Sequence, residues 1–218
     1  IYTSGTTGRP KGTITTHRAI VNNAMNGISC AEGIYHARPE DWRQLIVTPF
    51  FHVTTLHTLI NFTLLGAAAV VMTTFKPQEA LDLIIDEEIN FMVIVTAMYW
   101  ILKMQPRYPE LVKANRLKYI LQGGSPMPPE MFRELFKEFP DARVGNGYGF
   151  TEGASLGWLM FMAGDWDILM QKAGSVGGTL GNSLLRIVDD HLRDVPRGQT
   201  GEILAASPGI SPGYWNLP

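Results

Sequence analysis

Between residues 43 and 146 the apolar positions switch repeatedly between a period of two and a period near 3.6. Gln44-Leu45-Ile46-Val47-Thr48 is a short β-branched run closed by Pro49, which predicts a strand. His52 to Leu65 carries apolar residues at helical intervals, and Ala68 to Thr73 reads as a buried strand. Pro77 suits the first turn of a helix, where its missing N–H costs nothing. Leu81, Ile84, Ile85 and Ile89 then form one apolar stripe, with Asp82, Asp86, Glu87 and Glu88 on the wet face. Phe91 to Val95 predicts a strand, Met98 to Met104 a helix and Leu117 to Leu121 a strand. Pro129 starts a helix over Glu130 to Phe139, and Arg143-Val144 begins the next strand. Strands alternating with helices across short connections predict an α/β fold, with a mostly parallel sheet flanked by helices.

The flanks follow a different pattern. Residues 1–16 read as two threonine-rich strands joined by a glycine loop. After Gly174, Leu184 to Val188 and Glu202 to Ala205 read as strands between Gly/Pro turns, without helices. A smaller β-rich region is therefore expected at the C-terminal end, dividing the chain into 1–171 and 172–218. The sequence opens on Ile1-Tyr2-Thr3 without Met and closes on Tyr214-Trp215-Asn216-Leu217-Pro218, so a piece of a longer protein is expected.

Composition narrows the class. The 218 residues are 45% hydrophobic and 17% charged with a net charge of -2, which fits a globular chain and argues against disorder. So small a net charge gives no electrostatic reason to expect nucleic acid as a partner. The longest apolar run, Phe62 to Met72, falls short of the about 20 residues a membrane span needs. The single cysteine, Cys30, cannot form an internal disulfide, so a reducing, cytoplasmic setting is the expectation. His17, His36, His57 and His191 show no metal-ligand spacing, and no zinc site is expected.

The chemistry concentrates where glycine does. Thr3-Ser4-Gly5-Thr6-Thr7-Gly8-Arg9-Pro10-Lys11-Gly12 interleaves hydroxyls with glycines and ends in a lysine. Exposed N–H groups in such a bend form an anion nest, and Lys11 adds a point charge suited to phosphate. Arg9 and Pro10 separate Gly8 from Lys11, so the loop is not a Walker A sequence. The plainer reading is a flexible hairpin loop. A second cluster, Asn146-Gly147-Tyr148-Gly149-Phe150-Thr151-Glu152-Gly153, is expected to follow a strand, where open α/β sheets place ligand sites. Tyr148 offers a flat face for a purine, Thr151 a hydroxyl for phosphate and Glu152 a carboxylate for Mg²⁺. The plainer reading here is a tight turn around a buried tyrosine. Gly123-Gly124-Ser125-Pro126 reads as a strand-to-helix loop, and His52 in Pro49-Phe50-Phe51-His52 as a histidine at a helix start.

The first decapeptide resembles the phosphate-binding signature of the adenylate-forming superfamily of acyl-CoA synthetases, peptide-synthetase adenylation domains and firefly-type luciferases. It matches Ser/Thr-Ser-Gly-Thr-Thr-Gly-x-Pro-Lys-Gly throughout, with Arg9 at the free position. The second cluster is similar to that family's Tyr-Gly-x-Thr-Glu motif and lies downstream in the expected order. The resemblance implies that Thr3, Ser4, Gly5, Thr6, Thr7, Gly8 and Lys11 hold phosphates. It implies that Tyr148 stacks on adenine, that Thr151 contacts phosphate and that Glu152 holds magnesium. Asn146, Gly147 and Gly149 would border the nucleotide, as would the backbone of Gly123, Gly124, Ser125 and Pro126. His52 would border the carboxylate pocket. Gly174-Ser175-Val176-Gly177, Thr200-Gly201-Glu202-Ile203 and Gly213-Tyr214-Trp215-Asn216 resemble the family's following β region. Thr96-Ala97 stands where relatives commonly carry a proline.

The activity so implied is ATP-dependent conversion of a carboxylic acid to an acyl-adenylate and pyrophosphate, followed by thioester formation with coenzyme A. The implied partners are thus a small-molecule acid, ATP and CoA, with Mg²⁺ as cofactor. The family's later elements, including a mobile C-terminal domain with an adenylation lysine, are not in these residues, and the isolated chain is expected to be nearly inactive. Phe50, Phe51, Met98 and Trp100 suggest a fatty or aromatic acid. Two rival readings stay open: a nucleotide-binding module that ligates nothing, and a luciferase-like oxidoreductase on the same scaffold.

Overall fold

The computed structural model describes residues 1–3, 9–33, 41–172 and 174–217. Its centre is a seven-stranded sheet built from β3 (Arg43–Ile46), β4 (Ala68–Val71), β5 (Phe91–Ile94), β6 (Tyr119–Gly123), β7 (Arg143–Phe150), β8 (Ala154–Phe161) and β9 (Gly178–Thr179). The strands lie side by side in the order β4-β3-β5-β6-β7-β8-β9, the first five parallel and the last two antiparallel. Two smaller antiparallel pairs stand apart. These are β1 (Tyr2–Thr3) with β2 (Lys11–Gly12), and β10 (Leu184–Val188) with β11 (Glu202–Ala206).

Each parallel connection is helical. α2 (Val53–Leu65) links β3 to β4, and α3 (Pro77–Asp86) links β4 to β5. α4 (Thr96–Lys103) and α5 (Tyr108–Ala114) lead to β6, and α6 (Pro129–Glu138) leads to β7. β5 shows how the two faces are divided. Met92 and Ile94 enter the main core with Leu81, Ile84, Tyr99, Leu111, Met131 and Leu135 from α3 to α6. Phe91 packs instead with Trp42 and Phe62 of α2, and Val93 lies against the same group. The period of two along one strand thus feeds two separate cores. The Pro77 helix buries Leu81 and Ile84 as expected and half-buries Ile85, but it ends at Asp86, so the buried Ile89 belongs to the connection that follows it. Glu138 ties three helices together on that side, accepting from the hydroxyls of Tyr99 and Tyr108 while Lys103 pairs with it.

Four elements longer than three residues escaped the sequence reading. α1 (His17–Gly33) carries asparagines and glycines where a surface helix usually shows an apolar stripe. The Asn22 side chain accepts from Asn182 Nδ2, and Asn23 Nδ2 donates to the Gly209 carbonyl. The helix is therefore held by polar contacts with the C-terminal region. α5 and α7 (Trp166–Gln171) are too short to show a period. β8 was missed with the real extent of β7. The glycine-rich stretch from Asn146 to Phe150 lies within strand β7, and only Thr151 to Gly153 make the turn. Glycine weakens a strand in general, yet here β8 crosses too close for anything larger. A Cβ on Gly145 would sit 2.0 Å from the Leu159 carbonyl oxygen and 2.7 Å from Met160 Cα. No helix of the described residues is long and apolar enough to cross a membrane.

Gly145→Ala is expected to force β7 and β8 apart and cost about 1–3 kcal/mol, read as a lower urea midpoint at an unchanged slope. A midpoint equal to the parent's would mean that β8 yields without cost.

Candidate functional site

The face of the sheet under α1 and α2 is incompletely filled, and a cavity of about 500 Å³ lies there. It opens at the carboxyl ends of β6 and β7 and runs back along the sheet to the amino ends of β3 and β5. Gly123 and Tyr148 line it at one extreme, Trp42 and Phe91 at the other. The carboxyl ends of parallel strands are where this class of sheet places ligands.

The mouth is polar and charged. Thr3 and Lys11 reach it from the β1–β2 hairpin, Tyr148 and Gly149 from the end of β7, and Thr151 and Glu152 from the turn into β8. The hairpin is held by residues far along the chain. Trp215 N donates to the Gly12 carbonyl at 2.7 Å, and Ser211 Oγ donates to that of Ile14 at 2.7 Å. The Tyr214 hydroxyl donates to Glu152 Oε1, and Lys11 Nζ lies 5.2 Å from the centre of the Tyr214 ring. The bond to Glu152, with partial burial and the carboxylate's charge, holds the Tyr214 phenol above its ordinary pKa. An ammonium, a phenol and a carboxylate thus stand in contact at one opening.

His52 caps α2. Its backbone is extended at φ -88° and ψ 139°, and its Nδ1 accepts from Thr54 N at 3.2 Å. Nδ1 is therefore the unprotonated nitrogen of the neutral ring, which leaves Nε2–H as the free donor of a residue that lines the cavity. From this cap α2 runs along the cavity wall, ending at Gly66 in the left-handed region. His57, Asn61 and Leu65 repeat at i, i+4 and i+8 on its inward face.

The inner end is aromatic. Trp42 lies 4.8 Å from Phe91 and 5.9 Å from Phe62, centre to centre, and Phe62 lies 5.3 Å from Phe91. Leu65 and Val93 complete this wall. Gln44 and His57 add polar groups to it. Burial lowers the His57 pKa from 6.5, keeping its imidazole neutral.

Of the residues singled out by sequence, Thr3, Lys11, His52, Gly123, Gly124, Gly147, Tyr148, Gly149, Thr151 and Glu152 line this one cavity. Ser4, Gly5, Thr6, Thr7 and Gly8 lie outside the described residues. Ser125 and Pro126 are not among the lining residues. Ser125 Oγ instead accepts from Gln122 Nε2 at 2.8 Å. Asn146 is buried, paired in register with Gln122, and borders a small void with Met127 and Phe132.

The expected acyl-pocket residues need correction. Phe50 and Phe51 are 53% and 78% exposed and do not line the cavity, and Trp100 is largely surface. Met98 borders a separate void against Leu45 and Ile94, because α4 covers the opposite face of the sheet. The apolar end of the cavity is walled instead by Trp42, Phe62 and Phe91. They come from three elements far apart in sequence, so no local pattern announces them. The stripe from His57 to Leu65 was the one available signal. Tyr214 gave no signal of its own beyond its place in Gly213-Tyr214-Trp215-Asn216.

The residues at the mouth suit a nucleotide and its metal. One carboxylate is what magnesium commonly takes from a protein when substrate phosphates supply other ligands, and Glu152 offers one beside the Lys11 ammonium and the Thr3 and Thr151 hydroxyls.

Comparison with known proteins concerns the chain as a whole. A family model described as AMP-binding enzyme matches residues 1–215. The chain is 33% identical over 217 residues to indoleacetate–CoA ligase of Aromatoleum aromaticum, covering 99% of this chain and 40% of that protein. It is 32% identical over 227 residues to 4-coumarate–CoA ligase 5 of Oryza sativa subsp. japonica, covering 100% of this chain and 40% of that protein. The inhibitor-bound N-terminal domain of FACL13 from Mycobacterium tuberculosis superposes with a TM-score of 0.84 at 29% identity, covering 99% of this chain and 51% of that one. The chain therefore spans well under two thirds of the length of either ligase.

The depressed His57 pKa has a consequence for stability. The unfolded chain takes up a proton near pH 6.5 that the folded chain refuses, so stability is full above that pH and falls below it. Lowering the pH from about 7.5 to about 5.5 should therefore destabilise the parent more than His57→Gln, by at most about 1.4 kcal/mol per pH unit. Urea unfolding at both pH values checks this; parallel losses would refute it.

Proposed function

Since the chain belongs to the AMP-binding enzyme family, we propose that the whole protein activates a carboxylic acid with ATP and transfers the acyl group to the thiol of coenzyme A. The observation that carries this reading is the single cavity that joins a charged mouth to an aromatic recess. A nucleotide at the mouth and an acid in the recess would meet near His52.

The acid we propose is aromatic. Three ring side chains wall the recess, and such walls favour a ring partner in offset or edge contact. The ligases named above act on indoleacetate and 4-coumarate, which supports the same class. A fatty acid would gain less from walls of this shape.

In the reaction so proposed, a carboxylate oxygen attacks the α-phosphorus of ATP, and the bond to the β-phosphate oxygen breaks with its electron pair. The products are an acyl-adenylate and pyrophosphate. The carboxylate is already ionised at neutral pH, so no general base is needed for this step. Catalysis then consists of positioning and charge neutralisation. Lys11 would hold the phosphates together with Thr3 and the loop from Ser4 to Gly8. Tyr148 would stack on the base, with the Gly123-Gly124 backbone beside it, and Thr151 would donate to phosphate. Glu152 would hold magnesium, which when bound neutralises phosphate charge. His52, with Nε2–H free, would orient the attacking carboxylate. In the second step the thiol sulfur attacks the acyl carbon, AMP leaves, and the thiol proton passes to solvent.

Glu152 already engages the Tyr214 hydroxyl, so binding of the metal would exchange that bond for a stronger one. Pyrophosphate exchange by the whole protein is expected with aryl-substituted acids. Glu152→Gln should slow it about 10²-fold or more, with acid binding retained in calorimetry. Absence of exchange with every acid tested, or an unchanged rate in Glu152→Gln, would overturn the reading. The 218-residue chain alone is expected to release pyrophosphate far more slowly than the whole protein. Equal rates would show that these residues already hold every charge the reaction needs.

A further inference from the structure

The mouth of the cavity brings an ammonium and a carboxylate together without pairing them. Lys11, Glu152 and Tyr214 are all half-buried there, and all three line the cavity. Opposite charges gathered at one opening attract each other, and partial burial screens them less than an open surface would. Among the described residues Lys11 nonetheless makes no ion pair. The Tyr214 side chain engages both groups instead. Its hydroxyl donates to Glu152 Oε1, and the centre of its ring lies 5.2 Å from Lys11 Nζ, within reach of a cation–π contact.

The backbone that carries Tyr214 is fixed independently of that side chain. Ser211 N donates to the Glu152 carbonyl at 2.6 Å, Ile14 N to the Gly213 carbonyl at 3.0 Å and Trp215 N to the Gly12 carbonyl at 2.7 Å. Tyr214 itself bridges to Thr13 through the main chain. Residues 211–215 therefore strap the β1–β2 hairpin to the turn between β7 and β8, and the Tyr214 side chain reaches the two charged groups from that strap. Neither of its contacts removes a charge. A phenol hydroxyl leaves the carboxylate anionic, and a ring face leaves the ammonium cationic. Each group is held, yet each keeps its full charge for a ligand of the opposite sign.

We propose that Tyr214 is a positioning residue that keeps Lys11 and Glu152 from closing on each other, so that incoming phosphates meet an uncompensated lysine and their metal an uncompensated carboxylate. Without the ring between them, the two side chains pair, and the nucleotide binds only by breaking that pair. This rests on the nucleotide reading of the mouth, and it gives a role to a residue that reading leaves unused.

The test measures dissociation constants for ATP by calorimetry on the whole protein, with EDTA present so that no turnover enters. Tyr214→Leu removes ring and hydroxyl together and should weaken ATP about fivefold, the worth of a part-exposed ion pair. In the Glu152→Gln background no such pair can form, and the same substitution should change the constant by less than about twofold. A strap that had merely come loose would weaken ATP equally in both backgrounds, so the cycle separates positioning from structure. The conservative Tyr214→Phe keeps the ring and should stay within about twofold of the parent. Should Tyr214→Leu not fold, Tyr214→Met takes its place, with circular dichroism reporting the fold. An unchanged constant in Tyr214→Leu, an equal loss in both backgrounds, or a loss in Tyr214→Phe as large as in Tyr214→Leu would each overturn the proposal while leaving the nucleotide site intact. A parent that binds no ATP would instead overturn the nucleotide reading, and the proposal with it.

Discussion

A parallel sheet cannot leave either face in water, and the rest of this molecule follows from how unequally its two faces are closed. α3 to α7 fill one side with a continuous core from Leu81 to Leu169. α1 and α2 cover the other side incompletely, where Trp42, Phe62 and Phe91 form a small buried cluster. The main core and the cavity thus lie on opposite sides of the same strands. Met92 belongs to one and Phe91 to the other. Within the described residues the larger void lies where the sheet is thinly covered, and the residues that carry chemistry gather at its opening.

Much of this architecture was legible because the core side obeys simple periods. The helix from Pro77 and the strand from Phe91 show their buried positions directly, as does the helix from Pro129. The thin side was less legible for the same physical reason. α1 is held by asparagines bonded to distant carbonyls and amides, an arrangement that leaves no apolar stripe. The β7–β8 hairpin was hidden by the glycines that let its strands approach. A run such as Asn146 to Gly149 suggests a loop until Gly145 is seen to face the Leu159 carbonyl.

The candidate site divides along the same line. Its mouth was readable because glycine, hydroxyl, lysine and carboxylate residues cluster within short segments, from Thr3 to Lys11 and from Tyr148 to Glu152. Its recess was not, because Trp42, Gln44, His57, Asn61 and Phe91 become neighbours only through the order β4-β3-β5 and the path of α2. Aromatic residues close to a motif, Phe50 and Phe51, misled for that reason: proximity along the chain placed them outside the cavity they were expected to line.

The asparagine contacts of α1 couple two regions. Asn22 and Asn23 grip residues 182, 207 and 209, beside the β10–β11 pair. Asn23 and Gly27 on the same helix form part of the cavity wall. Gly27 also comes so near Asn61 that a Cβ there would sit 2.9 Å from Nδ2. One helix thus touches both the segment beside β10–β11 and the wall of the recess. The room left in the recess and the seating of residues 182, 207 and 209 both depend on where α1 lies.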